Sequence, residues 1–183
     1  MNLEYVYQLR LPELYDSIIP GSIERLSSLP VSTDKPYNYI KASDLFKSEH
    51  LNIAGVLWDS AIHFYKTGNK FGTIHSDVAD PTDNTIRVGI NLVYSGSGIM
   101  EYFDNIQGNS NSHNNTDHRV LNIVPGSPSK SYSLNSGNVY LINASPYHRA
   151  SGSDRHIISL RSSQLVKSDW SEIVKMFAGV IKC

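Results

Sequence analysis

Residues 71 to 80 read FGTIHSDVAD. They set His75 and Asp77 two positions apart in what reads as a strand, where residues i and i+2 project from the same face. An imidazole and a carboxylate leaning into one space can share a metal ion, or they can be two polar side chains on a wet surface. A metal site needs a third ligand. Of the seven histidines, His63 sits in an apolar strand with Phe64 and Tyr65, His113 and His118 lie in a polar loop, and His50 ends a short helical segment. His156 has the opposite strand parity to Arg155 and Arg161. His148 remains, in LINASPYHRASGSDRHIISLR, between one buried-looking strand and the next. It lies 71 positions beyond Asp77 (148 − 77), enough for several strands and a sheet folded on itself.

Two neutral imidazoles and one carboxylate on one face of an octahedron leave three positions open, the arrangement that suits non-haem Fe(II). An α-keto acid can chelate two of those positions and dioxygen can take the third. A keto acid also needs an anchor for its far carboxylate, and arginine pairs with carboxylates bidentately. Arg155 follows His148 by seven positions. Arg161 is six further on, an even number, so both arginines fall on one strand face.

The elements that must position these residues follow from composition and spacing. A chain of 183 residues reads as one domain, able to bury roughly 70 % of its unfolded surface. Residues 1–52 read as short helices and loops: LPELYDSII and SIERLSSL carry helical apolar spacing, and Ser43 is a candidate N-cap. From 53 to 163 the texture changes to short runs rich in Val, Ile, Tyr and Phe, separated by turn residues. That pattern fits a sandwich or barrel, mainly β with flanking helices, better than βαβ units. Residues 105–118, NIQGNSNSHNNTDH, read as a loop, and as a candidate lid over a barrel mouth. Residues 168–182 close the chain with a helix capped by Asp169, whose apolar stripe includes Trp170, Ile173 and Phe177.

The formal net charge is −1 and charged residues make up 18 %, with no basic excess of the kind a general nucleic-acid binder needs. The one cysteine, Cys183, excludes an internal disulfide and a cysteine-based zinc site. No apolar run has signal-peptide or membrane-spanning length, so a cytoplasmic protein without a membrane partner is expected, and the N-x-S/T matches at Asn114 and Asn143 carry no weight.

Taken together, these residues resemble the Fe(II)- and 2-oxoglutarate-dependent dioxygenases over roughly residues 55 to 163. YKTGNKFGTIHSD looks like the family's Y-x-x-G stretch ahead of H-x-D, giving Tyr65 and Gly68. TIRVGINLVYSGSGIMEYFD is similar to the strand pair that follows. NSGNVYLINASPYHRASGSDRHIISLR resembles the closing segment, with a glycine before a strand, a second histidine eleven positions later and then G-x-x-R. The resemblance implies a double-stranded β-helix, the jelly-roll of the cupins, and a hydroxylase of prolyl-hydroxylase-like type. It implies Fe(II) on His75, Asp77 and His148, and 2-oxoglutarate as co-substrate held by Arg155, with Tyr65 and Tyr94 as hydrogen-bonding partners and dioxygen as oxidant. Arg161 completes an R-x5-R spacing seen in the nucleic-acid-demethylating branch, and the choice between Arg155 and Arg161 as main anchor stays open. The implied substrate is a small molecule or a protein residue. Two other readings share the fold: a non-catalytic β-helix binding module, and a cupin-type metalloenzyme that uses no keto acid.

Overall fold

The structure is a computed structural model that describes residues 3–28, 37–66, 72–78, 82–104, 110–112, 119–121, 127–167 and 169–182. Among the described residues, twelve strands appear in chain order: β1 (Val6–Leu9), β2 (Tyr37–Lys41), β3 (Asn52–Ile53), β4 (Val56–Leu57), β5 (Ser60–Lys66), β6 (His75–Ser76), β7 (Val88–Tyr102), β8 (Ser110–Ser112), β9 (Arg119–Leu121), β10 (Lys130–Asn135), β11 (Val139–Asn143) and β12 (His148–Arg161). Three α-helices flank them: α1 (Pro12–Asp16), α2 (Ser22–Ser27) and α3 (Trp170–Met176). The protein is mainly β. Ten strands join in one antiparallel sheet, with β3 and β4 forming a separate hairpin.

The two long strands organise the sheet. β7 and β12 pair along almost their whole length, from His148 opposite Tyr102 to Leu160 opposite Ile90. Each changes its outer neighbour part-way. The first half of β7 pairs with β11 and the second with β10. The start of β12 pairs with β6 and its second half with β5. β1 extends the sheet beyond β11, and β2 extends it beyond β5. One ribbon therefore serves two sets of strands.

That ribbon is bent. A straight 14-residue strand spans roughly 43 Å at about 3.3 Å per residue. Yet His148 and Arg161, the two ends of β12, both reach Asp77. Part-way along the ribbon Gly98 faces Gly152. A methyl group at Gly98 would collide with the Ser151 carbonyl oxygen, and one at Gly152 would lie 2.5 Å from that of Ser97. Gly96 has φ 71° and Asp154 has φ 45°, and the register shifts beyond Ser153 and again beyond His156. These are bulges, which sharpen the twist and bend of a strand pair.

Two apolar clusters follow from the bend. Val93, Met100, Tyr102, Leu134, Tyr140, Ile142 and Ile157 fill one side of the ribbon. The larger cluster joins Ile90, Leu92, Ile158 and Leu160 to the helices and to Trp58, which meets the edge of Phe177 with ring centroids 6.1 Å apart.

The N-terminal fifty residues are not only helix and loop, because β1 and β2 are strands of the main sheet. Their partners lie far along the chain (Val6 opposite Ile142, Tyr39 opposite Ile62), so no local pattern marks them. Ser43 caps no α-helix; two 3-10 turns, Ala42–Asp44 and Ser48–His50, take that place. The run from 53 to 65 divides into a hairpin and β5, since Ala54 (φ 54°) and Gly55 (φ 74°) turn the chain. At the C-terminus Asp169 accepts the Ser171 N–H as expected of a cap, but the helix stops at Met176 and Ile181 bridges to Leu9. Within 105–118 the segment Ser110–Ser112 is β8, paired with β9; the remaining positions lie outside the described residues, and so does the lid expectation. Among the described residues, no helix is long and apolar enough to cross a membrane.

Gly152→Ala is expected to cost about 2 kcal/mol or more, as overpacking against backbone does, measured by urea unfolding. Trp58→Ala should cost ~3–5 kcal/mol through the cavity it leaves. His63 gives a pH test. Burial, then the neighbouring His156, pushes its pKa down to about 4 from 6.5. The unfolded state therefore binds the proton first, so stability present above pH 6.5 is lost as pH falls toward 4. His63→Asn should flatten that part of a stability–pH curve.

Candidate metal centre

β6 is only two residues long, and it is held on three sides. His75 pairs with His148 of β12 and with Val120 of β9. Ser76 Oγ donates to the Ser145 carbonyl (2.6 Å), and the Asp77 N–H donates to Ala144 O (3.0 Å). The 143–148 turn is fixed in turn by Arg87, whose N–H donates to Ser145 Oγ (2.7 Å) and whose carbonyl accepts from Ala144 N–H. Asp77 itself lies one residue past the strand. Its position comes from this strapping to the turn as well as from strand parity.

The two histidines are oriented alike. His75 Nδ1 is 2.9 Å from the Thr73 carbonyl and His148 Nδ1 is 2.8 Å from the Pro146 carbonyl, each two residues earlier in the chain. A carbonyl only accepts, so each Nδ1 carries a hydrogen and each Nε2 is the nitrogen left for a metal. The rings stand 4.5 Å apart between centroids. His75 Nε2 is 3.5 Å from Asp77 Oδ1, and the ligand atoms of His75, Asp77 and His148 all lie within 4.8 Å of one another. This is the outer-shell pattern of metal-ligating histidines, in which the second ring N–H is tied to an acceptor. His148 is 5 % exposed. Burial, then His75, lowers its pKa to about 4 against the opposing pull of Asp77, so the imidazole is neutral at neutral pH, the form that ligates.

Asp77 divides its oxygens. Oδ1 faces His75, while Oδ2 accepts from Arg161 Nη2 at 3.1 Å. Arg161 thus holds the carboxylate so that one oxygen faces the histidines. Asp77, Arg161, Arg87, Tyr39, Ser60 and Ile62 border a cavity of about 390 Å³.

Arg155 lies on the same face of β12 as Arg161, with Ile157 and Ser159 between them. It is 6 % exposed. Its alkyl chain runs past Gly98 and Gly152, where any side chain would displace it. Nη1 donates to the Ser151 carbonyl (2.5 Å), and Nε has no partner among the described residues. No carboxylate among the described residues pairs with it, and burial alone lowers its pKa to about 10. A buried cation with no counter-ion carries a large desolvation cost. An anionic group placed there offsets that cost.

The two tyrosines do not join the site in the same way. Tyr65 stands in β5 opposite His156, and its side chain lies outside the described residues. Tyr94 is placed elsewhere: it is 40 % exposed and borders a cleft with Ile23, Glu24, Ser28, Ser95 and His156, none of them a member of the triad. The reason is the bulge, which sets Ser95 opposite His156 and Val93 opposite Ile157, leaving Tyr94 unpaired between them.

Two features carried no sequence signal. The Thr73 and Pro146 carbonyls are backbone atoms. Tyr102 reads as one more apolar strand residue, yet its ring lies 5.7 Å from that of His148 and its hydroxyl donates to Asn143 O (2.9 Å).

No protein-family model matches the chain, and no curated protein matches it either.

Arg161→Ala should leave Asp77 free to turn, lowering metal affinity about 10- to 100-fold, as loss of an outer-shell partner does. A competition titration against a metal-sensitive dye checks this.

Proposed function

We propose that the protein is an Fe(II)- and 2-oxoglutarate-dependent dioxygenase acting on a small molecule or an exposed protein residue. The observation that carries the reading is the convergence of two Nδ1-tethered imidazoles and one carboxylate oxygen. The donor set fits the metal: neutral nitrogens and a carboxylate suit Fe(II), with no thiolate to select a softer ion. At ligand bonds of about 2.1 Å neighbouring donor atoms stand ~3 Å apart, which small side-chain rotations reach from the observed spacing.

Iron held there supplies, with 2-oxoglutarate and dioxygen, the oxidising power to hydroxylate a C–H bond. The protein's own residues do the positioning. His75, Asp77 and His148 hold the metal by one face and leave the other open. Arg155 is suited to the far carboxylate of 2-oxoglutarate, because it is buried, uncompensated and unable to lose its proton at neutral pH. Arg161 orients Asp77. The cavity beside Asp77 and Arg161 is the proposed approach for the primary substrate. In the fold, the bent β7–β12 ribbon with strands on both halves supports a double-stranded β-helix.

Anaerobic titration of metal-free protein with Fe(II), then 2-oxoglutarate, tests the reading. A visible metal-to-ligand charge-transfer band in the wild type, absent in Asp77→Ala, is the expected result. Iron binding without the band would favour a cupin-type metalloenzyme, and no metal binding would favour a binding module. Arg155→Ala should chiefly raise the 2-oxoglutarate concentration needed for the band. If Arg161→Ala alone does so, the anchor is Arg161.

A further inference from the structure

Three tyrosines lead away from the metal centre. Tyr102, fully buried, has its ring 5.7 Å from that of His148. Tyr5 lies against Tyr102 with centroids 4.7 Å apart, and Tyr132 meets it edge-on at 5.7 Å. Close aromatic contact is ordinary in a core. The ends of this cluster are not ordinary. The Tyr5 hydroxyl donates to Asp104 Oδ1 at 2.7 Å, and the Tyr132 hydroxyl donates to Glu4 Oε2 at 2.5 Å. Tyr132 Oη also accepts the Tyr5 N–H (3.1 Å), tying the two together. Each outer phenol therefore has a carboxylate base in hydrogen-bond contact at the protein surface, while the inner phenol meets the Asn143 carbonyl and the Met100 sulfur, neither of them a base of that strength. Burial, then Asp104, raises the Tyr5 pKa to about 12, and burial, then Glu4, raises that of Tyr132. Both phenols are thus protonated in the resting protein. A phenol loses an electron far more readily when its proton can leave at the same moment, and only the outer two have a base to receive it.

We propose that Tyr102 connects the metal centre to the Tyr5–Tyr132 pair as an outlet for oxidising equivalents, used when dioxygen and 2-oxoglutarate react without substrate. The inference rests on the metal-centre reading above. One electron would pass from Tyr5 or Tyr132 through the Tyr102 ring to the iron that His75, Asp77 and His148 would hold, lowering its oxidation state by one, and a second such transfer would return it to Fe(II). The phenolic proton moves to Asp104 or Glu4, leaving a neutral tyrosyl radical and a protonated carboxyl. Tyr102 begins and ends protonated. An external thiol returns the electron and the proton, and itself becomes oxidised. The arrangement carries damage away from the ligand histidines. Lys130, which pairs with Glu4 and lies 5.2 Å from the Tyr5 ring centroid, disfavours positive charge on Tyr5 and so requires that its proton leave with the electron.

The test uses the whole chain loaded with Fe(II) and treated with one equivalent of hydrogen peroxide, with no co-substrate. Freeze-quench electron paramagnetic resonance reads tyrosyl radical, and peptide mapping locates oxidised residues. Wild type should give a tyrosyl signal. Tyr5→Phe/Tyr132→Phe, with an unfolding midpoint checked against wild type, should lose most of it and shift oxidation onto Tyr102, His75 and His148. Tyr102→Phe keeps the ring and the packing, and should bind iron normally while weakening the signal. Iron binding with no tyrosyl signal, or an undiminished signal in the double variant, would overturn the outlet alone. Failure to bind iron would overturn the outlet together with the metal-centre reading.

Discussion

The structure depends on one constraint: two long paired strands must fold back at the same place. β7 and β12 stay paired on both sides of two register shifts, so neither can bend without the other. Within the ribbon the two backbones approach more closely than a side chain allows at Gly98 opposite Gly152, next to the register shifts beyond Ser153. From that crease follow the exchange of neighbours along each strand, the two apolar clusters, and the meeting of both ends of β12 at Asp77. A straight ribbon would separate His148 from Arg161 by most of the length of the domain.

The crease also sets the electrostatics. It encloses two arginines and a histidine, groups that resist burial when charged. Each resolves the conflict differently. His148 stays neutral, and its lone pair becomes available to a metal. Arg161 finds Asp77 and turns it. Among the described residues Arg155 finds only a carbonyl oxygen and no counter-ion. Natural proteins rarely retain such a group without a use, since breaking or omitting a partner for a buried charge costs several kcal/mol. The strap from Ser76 and Asp77 to the 144–145 turn serves the same end, because a side chain on a two-residue strand has little rigidity of its own.

Much of this was legible in the chain. His75, Asp77 and His148 stand out because a polar pair at i, i+2 in an apolar strand and a third histidine between two strands are uncommon chemistry in uncommon places. The shared face of Arg155 and Arg161 follows from an even spacing, which survives because β12 pairs with β5 without a break from Arg155 to Arg161, the extra residue at the His156–Ile157 shift lying on β7. Tyr94 shows the limit. Its parity crosses a bulge, and the ring ends against α2. β1 and β2 were illegible for a different reason: four- or five-residue strands acquire their identity from distant partners, 19 to 27 positions away in β2 (60 − 41, 64 − 37) and 130 to 136 away in β1 (139 − 9, 142 − 6).

The sequence by itself determined the mainly β class, the residue types of the His-Asp-His group, the turn chemistry and the cap at Asp169, because each depends on side-chain type and short-range spacing. Only the tertiary structure decided which nitrogens face inward, since that is set by the Thr73 and Pro146 carbonyls. It alone decided that Arg161 orients the carboxylate while Arg155 stands uncompensated, because the difference lies in distance to Asp77 and not in either arginine's local sequence. It alone brought Tyr102 against His148. Contacts between residues dozens of positions apart depend on where the ribbon bends, and a bend is a property of two backbones meeting.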